Sequence, residues 1–278
     1  MRAAFARIGN RSSDPQIRRV RIGVHHLTDV PACRRDPKPS SPHLVEHPGD
    51  QHGVRGSEPG GGQRVRFTDP AGFVIDLIHG QATHVPMPTR QPLGFNAWNG
   101  RKRLGEPVRL APQPPCATRL GHVALLVADF PRTYAFYCDV LGFAPSDTYW
   151  AGAEGNVIAA FMRCGLGDQW TDHHTLALVT AQDGRNRFDH SSFEVVDFDD
   201  LVQGGEWLKS RGHLHSWGVG RHIQGSQLFD YWRDPFDNKV EIYTDGDLVN
   251  DSTPVGNAPF SLEELRQWAP PLTPEFMR

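Results

Sequence analysis

The sequence predicts an α+β fold in which two βαβββ modules pair into one curved mixed sheet, preceded by an incomplete module. Three observations carry this expectation. Residues 119–247 alternate strand-like runs with two amphipathic helical stretches. Within them, His122 is followed seven residues later by Asp129-Phe130, and His190 seven residues later by Asp197-Phe198, each pair just ahead of a helix. Asp234-Pro235 precedes Glu241 by seven residues, as Asp69-Pro70 precedes Asp76. Matching pairs at fixed offsets, at corresponding places in a strand, helix, strands plan, mark a duplicated unit.

The elements follow in order. Residues 1–62 are rich in Arg, Pro, His and Gly, with Phe5 their only aromatic residue, so they read as poorly ordered and do not pattern as strands. Val65 and Phe67, then 73–78, flank the turn Asp69-Pro70-Ala71-Gly72 and predict a β-hairpin. Residues 82–117 carry seven prolines and read as an extended linker. A strand is expected at 120–127 and a helix at 131–141, opened by Pro131 in its first turn and closed by Gly142. Strands at 158–163 and 175–180 complete the first module. The second has strand 193–196, helix 201–211 ending at Gly212, and strands 228–232 and 239–244. The tail from Leu248 carries Phe260, Trp268 and Phe276, too many aromatics for a disordered tail, and reads as a lid. The domain plan is thus a reduced N-terminal domain (1–81), a linker (82–117), a paired-module domain (118–247) and a tail (248–278).

A chain of 278 residues is long enough to bury a substantial core. Its formal net charge of -3 supplies no basic field for nucleic acid. Cys33, Cys116, Cys138 and Cys164 lie far apart with no CxxC pair, as reduced thiols in a cytosol would. No apolar run approaches the roughly 18 residues of a membrane helix, so a soluble, cytoplasmic protein is expected.

When two such modules pair, their first and last strands meet at the centre of the sheet, and His122, His190 and Glu241 converge. Two imidazoles and one carboxylate on one face of a metal leave the other face open, the arrangement favoured by non-haem Fe(II) centres that activate O2. Residues 175–180 offer no Asp, Glu, Gln or His, so no fourth protein ligand is expected. Elsewhere the chemistry-bearing residues have plainer readings. His213 and His215 read as a polar loop. His25 and His26 stand about as far before Asp76 as His190 does before Glu241, and a solvated loop is preferred to a vestigial site there. Trp150, Trp170, Trp207, Trp217 and Trp232 read as core, with part of the set available as pocket wall for an aromatic ligand.

The run Gly220-Arg221-His222-Ile223-Gln224, with Tyr231, Asp234-Pro235 and Glu241, resembles the signature of the type I extradiol ring-cleavage dioxygenases of the vicinal oxygen chelate superfamily. Gly121-His122, Tyr137 with Val140-Leu141-Gly142-Phe143, His173-His174-Thr175-Leu176-Ala177 and 188–195 resemble that family's other segments in family order, over residues 118–247. The resemblance implies His122, His190 and Glu241 as ligands of Fe(II), with Mn(II) acceptable to the same set. It implies His174 as an acid/base group, and His222 and Tyr231 as donors to the substrate's oxygens. It implies a catecholic substrate, O2, and a homo-oligomer without nucleic-acid or membrane partners. Two-domain members carry a complete pair of modules ahead of the catalytic pair, whereas only 68 residues precede Asp69. The alternatives are a glyoxalase-like isomerase, which tends to use four protein ligands; a resistance-type binding protein, which lacks the His174, His222, Tyr231 set; and an inactive remnant.

Overall fold

A computed structural model describes residues 19–23, 51–55, 60–82, 85 and 87–277. The chain divides into two compact units, Met1–Pro86 and Met87–Arg278.

The first unit holds β1 (Arg19–Gly23), β2 (Gln51–Arg55), β3 (Gln63–Thr68) and β4 (Val74–His79) in the order β1-β4-β3-β2, with β1 parallel to β4 and the other pairs antiparallel. The β3–β4 turn is closed by the Asp69 carboxylate, which accepts from the amides of Ala71 (2.9 Å) and Phe73 (2.8 Å), while Gly72 supplies φ 86°. β1 and β2 lie where composition gave no expectation of strands. Pairing against a hairpin recruits such polar segments, whose own periodicity says little. The suggested His25 and His26 pair lies outside the described residues. Strand register nevertheless gives the place of His190 to a different residue: Arg19 and Arg21 stand opposite Val74 and Asp76, as His190 and Ser192 stand opposite Lys239 and Glu241.

The second unit begins with residues 87–116, which form no helix or strand. Its first module contains β5 (Ala117–Val127), α1 (Phe130–Asp139), β6 (Phe143–Trp150), β7 (Val157–Cys164), β8 (Thr171–Asp172) and β9 (Leu176–Thr180). The second contains β10 (Arg187–Val195), α2 (Phe198–Ser210), β11 (Leu214–Arg221), β12 (Leu228–Arg233) and β13 (Lys239–Thr244). After them come β14 (Leu248–Val249), β15 (Gly256–Pro259), a 3-10 turn at Glu263–Leu265 and α3 (Pro274–Met277). Nine strands form one mixed sheet in the order β11-β12-β13-β10-β5-β9-β7-β6-β15, and β8 pairs separately with β14. In each module the first strand runs parallel to the last, β5 with β9 and β10 with β13, and β5 and β10 pair antiparallel at the centre.

The repeated Asp-Phe pairs are helix starts. Asp129 and Asp197 are the N-caps, their carboxylates accepting from the amides of Arg132 (3.2 Å) and Asp200 (2.9 Å), so the helices begin at Phe130 and Phe198, ahead of the expected 131 and 201. Asp197 also accepts from the Leu93 amide and pairs with Arg90, which ties the proline-rich segment to the helix end. Sequence periodicity does not mark β6 or β11, because register shifts at Pro145/Asp147 and Gly218/Gly220 break their alternation. His215 therefore lies on β11 and not in a loop, bonded to Asp230 at 2.6 Å.

Alternation along β12 separates the two faces of the sheet. Leu228 and Trp232 pack with Val195, Leu201 and Ile242 beneath α2, while Phe229 and Tyr231 point the other way, against Trp217. Leu265, Leu272 and Phe276 of the C-terminal segment cover that second cluster. Among the described residues no helix is long and apolar enough to cross a membrane.

Candidate metal centre and its cavity

Pairing of β5, β10 and β13 brings His122, His190 and Glu241 to the middle of the sheet, on the face that the C-terminal segment covers. Two irregularities aim them. On β5 the register shift falls at Gly121, where a Cβ would lie 2.1 Å from the Tyr243 hydroxyl, so only glycine admits this approach next to His122. On β10 the shift between Phe188 and His190 bulges Asp189 out of the ladder, and both Asp189 and His190 border the cavity.

The ligand atoms of His122, His190 and Glu241 lie within 4.8 Å of one another, a span one ion bridges. His122 Nε2 is 3.0 Å and His190 Nε2 3.6 Å from Glu241 Oε2, and the two imidazole nitrogens are 3.3 Å apart. Glu241 is fully buried, neither of its oxygens makes a hydrogen bond, and His222 Nε2 lies 3.5 Å from Oε1. Burial opposes its charge, but His122, His222 and His190 hold its carboxyl well below the usual carboxylate range. Burial in turn lowers His122 against the pull of Glu241, favouring the neutral imidazole a metal requires. A buried ionised carboxylate facing imidazoles, with no hydrogen bond of its own, fits a site for a cation. The donor set fits a divalent first-row metal.

His190 is oriented from behind. Its Nδ1–H donates to Asp189 Oδ2 at 2.6 Å, and Lys239 Nζ lies 3.3 Å from both Asp189 oxygens. Burial works against the Asp189 charge, yet His190 and Lys239 keep its carboxyl well below the ordinary range. The bare Nε2 therefore faces Glu241, the tautomer a metal-binding histidine needs. His122 has no such support; its Nδ1 is buried without a partner.

The other three candidates surround the centre. His222 follows β11 and donates from Nδ1 to the Leu265 carbonyl (2.6 Å), so its Nε2 accepts from the Tyr231 hydroxyl (3.1 Å) when the ring is neutral. Burial, with Glu241 second, pushes the Tyr231 phenol well above its usual range, so it is a donor at neutral pH. His174 precedes β9 with its ring 4.1 Å from that of His122 and stacked on Phe161. Burial, then the neighbouring His122 and His173, lower it well below an ordinary histidine.

These groups floor a cavity of about 230 Å³, walled by Ala124, Tyr149, Phe161, Ala177, Val179 and Phe260. None of Trp150, Trp170, Trp207, Trp217 and Trp232 borders it. Trp217 and Trp232 are buried in the packing clusters on opposite faces, and Trp170 is exposed. Ala177 and Val179, the inward residues of β9, offer no further ligand. Asp189 and Lys239 escaped the sequence reading, and so did the wall residues Phe161, Ser261, Glu264 and Leu265. The only available signal was Asp189 beside a candidate ligand, since a bulge cannot be read from alternation.

A family model described as the Glyoxalase/Bleomycin resistance protein/Dioxygenase superfamily matches residues 119–242. The chain is 30% identical to Metapyrocatechase 2 of Cupriavidus necator over 90% of its own length and 71% of that protein's. It is 33% identical to Biphenyl-2,3-diol 1,2-dioxygenase of Paraburkholderia xenovorans over 64% of its own length, and spans 53% of that relative. The Mn(II)-bound glyoxalase of Novosphingobium aromaticivorans is similar in fold, with a TM-score of 0.60 at 23% identity, over 79% of this chain and 62% of that one.

Proposed function

Because this chain belongs to the Glyoxalase/Bleomycin resistance protein/Dioxygenase superfamily, among its type I extradiol ring-cleavage dioxygenases, we propose that it opens the ring of a substituted catechol with O2, using Fe(II) held by His122, His190 and Glu241. One observation carries the reading: His122 and His190, which border an apolar cavity together with His174, meet a buried carboxylate that no hydrogen bond satisfies. Mn(II) suits the same donors.

The bound metal would supply the redox centre that lets an aromatic diol react with O2. The chain does the rest. The small side chains of Ala124 and Ala177 leave room for a flat ring beneath Phe161 and Phe260. Tyr231, its hydroxyl donating to His222, accepts from a hydroxyl of the diol and fixes which edge of the ring faces the ligands. His174, kept neutral by burial, accepts a hydroxyl proton at its ring nitrogen and returns it as product forms. The apolar wall excludes water from these steps. An isomerase reading would need a fourth ligand on β9, where Ala177 and Val179 stand.

The test is anaerobic reconstitution with Fe(II), addition of a panel of catechols, and admission of O2 while oxygen uptake and the yellow ring-opened product are followed. Uptake with at least one diol is expected. Stoichiometric iron without oxygen uptake for any diol would overturn the reading and leave a metal-binding remnant.

A further inference from the structure

His174 is the inner end of a chain of hydrogen bonds that the proposed reaction has not yet used. Its Nδ1 lies 3.0 Å from Nδ1 of His173, and Nε2 of His173 lies 2.5 Å from Oδ2 of Asp147 on β6. His173 and His174 are both buried, at 5% and 4% exposure. A carboxylate only accepts, so His173 Nε2 carries the hydrogen. With a neutral ring, His173 Nδ1 is then the acceptor, and His174 must donate from its own Nδ1. That leaves Nε2 of His174 as the bare nitrogen. The logic is that of a carboxylate fixing the tautomer of a catalytic imidazole, extended by one ring.

Packing holds the chain in place. Asp147 lies against β15, where a Cβ on Gly256 would fall 1.7 Å from Asp147 Oδ1. Gly225 backs His173, where a Cβ would lie 2.9 Å from its Nδ1. Phe161 stacks on His174 at 4.5 Å and meets His173 edge-on at 5.8 Å, so neither ring is free to turn. We propose that Asp147 and His173 are positioning residues that hold His174 as its Nδ1–H tautomer, with Nε2 presented to the cavity as the base. The inference rests on the reading of His174 as the acid/base group.

The test uses the full chain in two forms. In metal-free, 15N-histidine-labelled protein, ring-nitrogen correlation spectra report the tautomer of His174, assigned by its loss in His174→Phe. Wild type is expected to show the Nδ1–H form. In Asp147→Asn the amide can donate to His173 Nε2, which transfers the ring hydrogen of His173 to Nδ1 and turns His174 into its Nε2–H form. Iron-loaded Asp147→Asn should keep wild-type iron content and KM while kcat falls about 100-fold or more, within the range for a lost general base. Gly256→Ala, which displaces the Asp147 carboxylate without touching either histidine, should move the spectrum and kcat the same way. Folding of each variant is read from its iron content. An unchanged His174 tautomer, or an unchanged kcat at full iron content, in both variants would overturn the positioning role while a slow His174→Phe left the acid/base reading intact. A fully active His174→Phe would overturn the acid/base reading itself, and the positioning role with it.

Discussion

Arg66 and Asp76 face each other across β3 and β4 at the register that Tyr231 and Glu241 hold across β12 and β13. In the first unit the guanidinium meets both carboxylate oxygens, at 2.7 and 2.8 Å, and the charge is settled within the hairpin. A phenol cannot do that for Glu241. One hairpin is closed by an ion pair; its duplicate holds a buried carboxylate with no hydrogen bond of its own.

Removing that charge should therefore remove the response to metal. Glu241→Gln is expected to abolish the gain in stability that Fe(II) or Mn(II) gives wild type. Thermal unfolding with and without metal checks it. An equal gain in the variant would mean that Glu241 does not hold the ion.

Asp189 acts through His190. Asp189→Asn should keep the fold by circular dichroism but weaken metal binding by about 10- to 100-fold, as measured by chelator competition, because the His190 tautomer is no longer fixed. Equal affinity in wild type and variant would show that the bulge alone aims the ring.

On the proposed reading the metal is held without His222 or Tyr231. His222→Phe and Tyr231→Phe should retain metal stoichiometry while oxygen uptake slows by about 10-fold or more, with Tyr231→Phe also altering the distribution of accepted diols. Loss of metal in either variant would move that residue into the ligand set.

Asp197 caps α2 and binds Arg90, and its carboxyl is lowered to about 2 from the ordinary 3.8, burial opposing and Arg90 the main favourable partner. A carboxyl lowered on folding contributes stability that is fully present above its unfolded pKa and is lost as pH falls through the folded one. Asp197→Ala should thus cost about 1 kcal/mol or somewhat more at neutral pH, and the gap from wild type should close between about pH 4 and pH 2. Urea unfolding at both ends of that window measures it. A gap independent of pH would leave only a packing role for the side chain.

Gly121→Ala places a methyl group where the Tyr243 hydroxyl lies. The variant should lose stability by about 1–3 kcal/mol and bind metal more weakly, because relief of the clash shifts the strand at His122. Unchanged metal affinity would show that the ring moves independently of the bulge.

The duplicated module was legible in the sequence because offsets along one strand and helix are local. The seven-residue intervals from His122 and His190 to their Asp-Phe pairs end at helix caps, and the Asp-Pro pairs end at turns closed by carboxylates. Hairpin β3–β4 and strand β13 followed from alternation and turn chemistry alone. The pairing of β5 with β10, which draws His122, His190 and Glu241 together, followed from the repeat. Where strands bulge, as β6, β10 and β11 do, alternation fails, and so do boundaries read from it.

The sequence by itself determined the module plan, the candidate ligands and the absence of a ligand from β9, since each is a property of residue types at fixed short spacing. Only the tertiary structure decided what stands behind and around them. Asp189 reaches His190 through a bulge, Asp147 reaches His173 from another strand, Phe260 and Leu265 arrive from the tail, and the tryptophans go to packing clusters or the surface. These relations depend on which strands become neighbours and where register slips, and a one-residue slip turns every later side chain to the opposite face.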